Sequence, residues 1–301
     1  MSVPTGSFQT YQAIGNREDL IDIITSISPT DTPVLSMTES VKGNGVLHEW
    51  QTQALKTPTA VARIEGDDAN IKTVTPTVRL NNSMQIIDNN FIVTETQQAV
   101  AAAGRASEES YQTEIAMKEL ANDIEYAYVV NSAAVTGASG TARQLKGLVG
   151  WVVTNISSAT ANRALTSTIL DALLKTVWLA GGKPDVILTG GTQKIAFTNT
   201  TNFPGMTRNI TAQKNEYFLA VDVYQGGIGG EMKLVTSTIM GNNLDSRIFC
   251  LQMDKFRKAW LRPIKKVPLG KTGDGNKFQI VAETTLESLN EKASGTVTNL
   301  S

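Results

Sequence analysis

The longest regular pattern of apolar and polar positions runs from residue 107 to 132, a stretch without proline or glycine. Its apolar residues recur at the three- and four-residue spacing that places them on one side of a helix: Met117, Leu120, Ile124, Ala127 and Tyr128. The charged residues on the flank of this stripe are Glu114, Lys118 and Glu125, and those beyond its other side are Glu119 and Asp123. The pattern predicts a helix of about 25 residues, roughly 38 Å long, that braces the molecule.

Before this helix, residues 46–52 alternate like a strand, and residues 74–79 and 83–93 can supply the returning strands of a long hairpin. Residues 55–71 lie between them, are polar, and include the segment EGDD at 65–68. A loop of this length without a core of its own is normally functional or disordered. Farther upstream, residues 17–24 are briefly amphipathic, and prolines at 29 and 33 favour extended backbone, which indicates an arm that lies on another surface.

After the long helix, residues 133–142 are small and glycine-containing, which predicts a flexible connection. A second compact region begins near Trp151. In it, Thr166 or Ser167 can cap a helix with the apolar face Leu170, Leu174, Val177 and Trp178. The expected strands are 185–189, 217–223, 231–237, 247–253 and 278–289, with a brief helix at 192–199. This order predicts an α+β protein whose final strand returns to the first region.

Composition narrows the class of function. The chain has 27 basic and 28 acidic side chains among 301 residues, so no global field recruits nucleic acid or an anionic membrane. One cysteine, Cys250, excludes a disulfide framework and a thiolate-rich metal site, and we expect it to be a buried small hydrophobe. No leader pattern and no apolar run near 20 residues is present, so we expect neither secretion by signal peptide nor a membrane span.

The residues that could carry chemistry do not form a catalytic set. His48 is the single histidine, and its place beside Trp50 favours a packed or hydrogen-bonded role. The carboxylates of Glu65, Asp67 and Asp68 could ligate a hard cation, but their spacing does not match a calcium loop, and a solvated loop or an acidic contact is the alternative. Residues 226–230 (GGIGG) precede a strand, which favours a turn over a phosphate loop. We therefore expect no enzyme activity, cofactor or metal.

The chain has one basic run, in which Phe256 and Trp260 are interleaved: Lys255, Arg257, Lys258, Arg262, Lys265, Lys266 and Lys271. Interleaved aromatic and basic residues can follow a nucleic-acid backbone. Alternation along a strand would instead divide the charges between both faces, which favours a surface for protein contact or a solvated one.

Several short segments, taken in order, resemble a family of tailed-bacteriophage major capsid proteins. They are NREDL (16–20), SPTDTP (28–33), HEWQT (48–52), VTETQ (93–97), AG (103–104), LANDIE (120–125), GLVGW (147–151), GGKPD (181–185), ETTLE (283–287) and NEKA (290–293). The resemblance covers nearly the whole chain, and its specificity lies in the shared order of the segments.

The resemblance implies the tailed-phage capsid fold, in which pentamers and hexamers close an icosahedral shell around double-stranded DNA. The implied parts are an N-terminal arm (1–45), an extended β-hairpin loop (46–90), a peripheral domain with a long spine helix (91–164), an axial α/β domain (165–250) and return strands of the peripheral domain (251–301). It brings no catalytic residues. No long charged helix precedes Arg17, so a separate scaffold, or none, is implied.

The partners implied are further copies of this chain, with separate scaffolding, portal and decoration proteins as candidates, and packaged DNA in weak, non-specific contact. The virion capsid is the implied location, with the host cytoplasm during assembly. We expect the intersubunit contacts to include Lys56, Arg63, Glu65, Asp67, Asp68, Lys265 and Lys266. Another structural virion protein, from the tail or the decoration layer, remains the alternative.

Overall fold

The computed structural model describes residues 31–68, 71, 73–100, 107–199, 201–203, 222–228, 230–271 and 273–301. The predicted amphipathic piece at 17–24 and most of the predicted strand at 217–223 lie outside the described residues. The same holds for the first two-thirds of the predicted arm. None of the helices described is both long and apolar enough to cross a membrane.

The helices of the described ranges are α1 (Pro33–Met37), α2 (Glu95–Ala99), α3 (Glu108–Val130), α4 (Leu148–Trp151), α5 (Ser167–Leu179), α6 (Gly191–Phe197) and α7 (Thr238–Asn243). The strands are β1 (Glu39–Lys42), β2 (Leu47–Thr52), β3 (Val78–Ser83), β4 (Gln85–Thr94), β5 (Ile156–Ser157), β6 (Val186–Thr189), β7 (Val223–Gln225), β8 (Glu231–Thr236), β9 (Ile248–Leu251), β10 (Phe256–Leu269), β11 (Gly275–Ser288) and β12 (Gly295–Val297).

Three sheets organise these strands. A four-stranded sheet has the order β1-β10-β11-β4, in which the two 14-residue strands β10 and β11 form an antiparallel pair. A six-stranded sheet has the order β5-β12-β9-β6-β8-β7, and β2 pairs with β3 in a separate two-stranded hairpin. The fold is therefore the mixed α+β arrangement that the sequence predicts.

Helix α3 is the predicted long helix. Its 23 residues span about 34 Å at 1.5 Å per residue. The hydroxyl of Ser107 accepts a hydrogen bond from the Ser110 amide and caps the helix start, as sequence patterning indicates. Leu120, Ile124 and Tyr128 are fully buried in one apolar core with residues of the four-stranded sheet.

The six-stranded sheet is covered on both faces. On one face, Ile187, Ile248 and Cys250 pack against helix α5. On the other, Leu188 and Phe249 join the core that contains α3. Because both faces are buried, β6 and β9 read as continuous apolar runs and not as alternating ones. The sheet is thus the middle layer between α5 and the long helix.

Four details differ from the sequence-based expectations. The strand after residue 83 does not extend the hairpin, because β4 pairs along its length with β11. A short further strand that the sequence did not predict, β12, pairs with β5 and β9 in the six-stranded sheet, whereas the predicted final strand, β11, does return to the region of the long helix. Met117 and Trp178 were expected on buried helix faces, but they are 41% and 52% exposed.

Candidate assembly surfaces

The first candidate surface is the segment between β2 and β3, residues 53–77, which lies within the predicted extended loop (46–90). Every described residue from 53 to 77 is exposed. The exposed residues include five large apolar side chains with exposed fractions from 69% to 95%: Leu55, Val61, Ile64, Ile71 and Val74. Sequence reasoning treated this loop as polar and missed this concentration of apolar side chains. A group of apolar side chains left in water is typical of a surface that contacts another molecule.

The tip of the loop is a turn built by its own backbone. The amide of Asp67 donates to the Ile64 carbonyl at 3.1 Å, and Gly66 adopts φ +83°, a conformation that side chains disfavour. Arg63 donates to the Asp68 carbonyl at 3.0 Å. The turn leaves the carboxylates of Glu65, Asp67 and Asp68 in solvent.

The base of the hairpin, in contrast, is firmly attached to the body. Trp50 is 8% exposed, its ring centroid lies 5.4 Å from that of Trp151, and its Nε1 donates to the Ser288 carbonyl at 2.9 Å. The Lys146 ammonium lies 4.2 Å from the Trp151 ring centroid, a cation–π contact. Burial lowers the pKa of Lys146. The hairpin is thus a projecting element with a fixed base.

Asn82 is a fully buried anchor of the same base that sequence reasoning missed. Its Nδ2 donates to the carbonyls of Lys146 and Leu286 at 2.9 and 2.7 Å, and its Oδ1 accepts from the Lys146 amide at 2.8 Å. The only sequence signal was a polar residue on a strand. The prediction that His48 is packed is confirmed, since its ring lies 5.7 Å from Trp50 and its Nε2 is 3.5 Å from Glu287 Oε2.

The second candidate surface is the basic run on β10. Most of its charges have partners inside the subunit, which the sequence did not reveal. Arg262 Nε contacts Glu283 at 2.8 Å, and Arg143 contacts the other oxygen of that carboxylate at 2.6 Å. Lys266 Nζ lies 2.5 Å from Glu109 and 3.9 Å from the centroid of the Phe278 ring.

Four other members of the run also have partners within the subunit. Lys255 pairs with Asp254, Arg257 with Glu39, Lys271 with Glu95, and Lys258 donates to a backbone carbonyl of α1. Lys265 is exposed and makes no ion pair with the described residues. Most of the basic run therefore forms ion pairs or hydrogen bonds within the subunit.

Five of the seven predicted contact residues lie on the extended loop: Lys56, Arg63, Glu65, Asp67 and Asp68. The other two lie on β10, where Lys265 is exposed and Lys266 is already paired with Glu109. The structure does not bring the acidic loop residues to Lys265 or Lys266 within one subunit.

Reactive chemistry is scarce in the described ranges. Cys250 is fully buried, which confirms the expected buried position, and burial raises the pKa of its thiol to about 12. Among these residues, no group of histidine, cysteine and acidic side chains could hold a metal ion. The glycine-rich segment 226–230 lies between the antiparallel strands β7 and β8, and so it precedes a strand and not a helix.

Comparison with known proteins gives two kinds of likeness. The sequence profile of the SU10 major capsid protein family matches residues 3–301. The major capsid protein of Escherichia phage Phieco32 is 26% identical to this chain over an alignment of 345 positions. The alignment covers 98% of this chain and 97% of that protein.

Among solved structures, the capsid asymmetric unit of cyanophage A-1(L) is similar with a TM-score of 0.71 at 14% identity, over 97% of this chain and 98% of that one. The holo-SrpI encapsulin complex from Synechococcus elongatus PCC 7942 is similar with a TM-score of 0.61 at 10% identity, over 95% and 92% of the two chains. At such low sequence identities the structural likeness shows the shared fold alone. The family of the chain is shown by the match to the sequence profile.

Proposed function

Because the chain belongs to the SU10 major capsid protein family, and is therefore a structural capsid protein and not an enzyme, we propose that it assembles as pentamers and hexamers into an icosahedral shell around double-stranded DNA. The observation that carries this proposal is the extended loop. It holds five large apolar side chains in solvent on a hairpin whose base is fixed by Trp50 and Asn82.

The apolar loop needs a partner. In a lone subunit, Leu55, Ile64 and Ile71 are 95%, 83% and 90% exposed. Each would gain about 1.5–3 kcal/mol on full burial, and that gain offsets the entropy of ordering the loop. Because a capsid contains many copies of its major capsid protein, a second copy of the same chain is the partner that we propose. We therefore assign the loop to a contact with a neighbouring subunit.

We further propose the domain assignment that the resemblance implies. The arm is 1–45, the extended loop 46–90, the peripheral domain 91–164, the axial domain 165–250 and the return strands 251–301. Two short strands from outside 165–250, β5 and β12, also pair in the six-stranded sheet of the proposed axial domain. Lys56, Arg63, Glu65, Asp67, Asp68 and Lys265 are the candidate contact residues that the subunit leaves exposed, and Lys266 is a weaker candidate because it already pairs with Glu109.

The wider partners are also part of the proposal. Scaffolding, portal and decoration proteins are candidates, and assembly would take place in the host cytoplasm before the shell reaches the virion. Contact with DNA would be weak and non-specific, since most of the basic run is paired inside the subunit.

The test replaces apolar loop residues by polar ones. The triple variant Leu55→Ser, Ile64→Ser and Ile71→Ser should keep the secondary structure and unfolding midpoint of the wild type, because these side chains are exposed in the lone subunit. It should fail to form shells in sedimentation and electron microscopy.

The matched control is the triple variant Thr57→Ser, Thr59→Ser and Thr73→Ser, which alters exposed positions of the same loop but keeps all five of its large apolar side chains. It should assemble like the wild type. Normal shells from the apolar variant would remove the loop from the interface. Tubes from the wild-type chain would favour a tail protein.

A further inference from the structure

The residues between β1 and β2 connect the body of the subunit to the hairpin. They are Gly43, Asn44, Gly45 and Val46, and the Asn-Gly pair at 44–45 occurs once in the chain. β1 pairs with β10 in the four-stranded sheet, whereas β2 pairs with β3. The Asn-Gly pair is therefore not the turn of a β-hairpin, for which this dipeptide is the usual signal, and neither residue has the positive φ that such a turn needs.

The start of this connection is held by the body, but its centre is not. The Gly43 amide donates to the Trp260 carbonyl at 2.8 Å. The next residue, Asn44, is exposed. Within the part of the chain that the structure describes, neither the Asn44 carboxamide nor the Gly45 amide makes a hydrogen bond. Both groups can therefore change their orientation without losing a described contact.

These two groups are placed to react with each other. Attack of the Gly45 nitrogen on the Asn44 Cγ closes a succinimide ring within one chain, so the reaction needs no encounter between separate molecules. Glycine assists, because it has no Cβ to obstruct the approach. The Asp-Gly pair at 274–275 could close the same ring, but the Gly275 amide donates to the Gly273 carbonyl at 3.0 Å, and Gly275 is buried.

We propose that Asn44 is a site of spontaneous deamidation. The Gly45 nitrogen loses its proton and forms a bond to Asn44 Cγ. The bond between Cγ and Nδ2 then breaks, and Nδ2 departs with that proton as ammonia. Water next adds to either carbonyl of the succinimide and opens the ring, which leaves an aspartyl or an isoaspartyl residue at position 44. The reaction consumes one water and releases one ammonia, with no oxidation or reduction.

Deamidation changes the connection in two ways. Both products place a negative charge where the asparagine side chain is neutral. The isoaspartyl product also routes the main chain through the former side chain, which adds a carbon atom between β1 and β2. The site thus makes the attachment of the hairpin dependent on the age of the subunit. This inference does not rest on the proposed function, because the reaction takes place within one subunit.

The experiment follows the full-length, unassembled subunit during incubation at pH 6 and at pH 8. Trypsin releases the peptide 43–56, in which Asn44 is the single asparagine. Mass spectrometry should show the mass gain of an amide that becomes an acid, in two products that chromatography separates. Conversion should be faster at pH 8, because the attacking nitrogen must lose its proton. An Asn44 that converts no faster than the exposed Asn81, which a larger residue follows, would overturn the proposal.

A synthetic peptide of the same sequence measures how far the fold restrains the reaction. The rate in the folded subunit should lie within about tenfold of the rate in the peptide, because no described hydrogen bond must open first. A greater slowing would show that the fold protects Asn44 and would overturn the proposal.

Variants identify the reacting pair. Gly45→Ala should fold normally, since a Cβ at this position would lie 3.5 Å from its nearest neighbour, the Leu47 carbonyl oxygen. It should deamidate on the order of tenfold more slowly than the wild type. Gly227→Ala is the control, because its Cβ would meet open space and the Asn-Gly pair is kept. It should convert at the wild-type rate, and an unchanged rate in Gly45→Ala would refute the mechanism.

A second variant assigns the mass gain to a residue. Asn44→Gln alters an exposed side chain and should fold like the wild type. Its peptide 43–56 should stay unconverted over the same incubation, because glutamine closes a larger ring more slowly. Conversion at the wild-type rate would assign the reaction to Gln51 or Gln53 and would overturn the proposal.

Discussion

Ile124 offers the sharpest test of how α3 braces the subunit. It is fully buried in the C-terminal half of the long helix and belongs to the core that joins this helix to the sheets. Three substitutions grade the perturbation: Ile124→Val removes one methylene group, Ile124→Ala leaves a larger cavity, and Ile124→Asp adds a charge that has no partner.

The expected costs follow from burial. Ile124→Val should lower the free energy of unfolding by about 0.5–1.5 kcal/mol and Ile124→Ala by about 2–5 kcal/mol, since core packing around a fully buried site relaxes only in part. Ile124→Asp adds the cost of an unpaired buried charge, several kcal/mol more. Because domains have only about 5–15 kcal/mol of stability, this variant should not yield soluble subunit.

Urea denaturation of the unassembled subunit, followed by far-UV circular dichroism, measures the first two costs. Glu119→Lys is the control on the same helix, because Glu119 is exposed and its carboxylate accepts a hydrogen bond from the Asn89 side chain. It should cost less than about 1 kcal/mol. The assignment of the buried face is wrong if Ile124→Ala lowers the unfolding free energy by less than about 1 kcal/mol. It is also wrong if Glu119→Lys lowers the unfolding free energy as much as Ile124→Ala does.

Two further predictions concern the hairpin base and DNA. Asn82→Ala should lower the unfolding free energy by about 3 kcal/mol or more, because it leaves buried backbone groups of Lys146 unpaired, whereas exposed Asn81→Ala should change it by less than about 0.5 kcal/mol in the same denaturation assay. Fluorescence anisotropy should show duplex DNA binding no tighter than about 10⁻⁴ to 10⁻⁶ M near physiological salt. Sub-micromolar binding that is lost on replacing Lys265 and Lys266 by Gln would contradict this.

Local signals in the sequence determined the elements themselves. The cap at Ser107 and the absence of glycine and proline were enough to predict α3, and Thr166 caps α5 as expected, with its hydroxyl accepting from the Ile169 amide. These features depend on residues a few positions apart, so the chain needs no tertiary partner to specify them. The ordered segments that resemble capsid proteins likewise indicated the family without any coordinates.

Tertiary structure decided which elements meet. Periodicity marks an apolar stripe but does not say where the stripe ends, so Met117 was expected to be buried and Glu125 at its flank, while α1 in fact covers Glu125. Strand patterns likewise do not name their partners, and β4 pairs with β11, far along the chain.

The availability of the two candidate contact surfaces was also decided by the tertiary structure and not by the sequence. Charge alone made the run on β10 look available for a neighbouring molecule, yet Glu283 and Glu109 approach it from distant parts of the sequence. Composition made the extended loop look merely polar, and only the fold showed that its apolar residues are left exposed by the part of the chain that the structure describes. Pairing and burial are properties of the packed chain, because they depend on residues that sequence separation keeps apart.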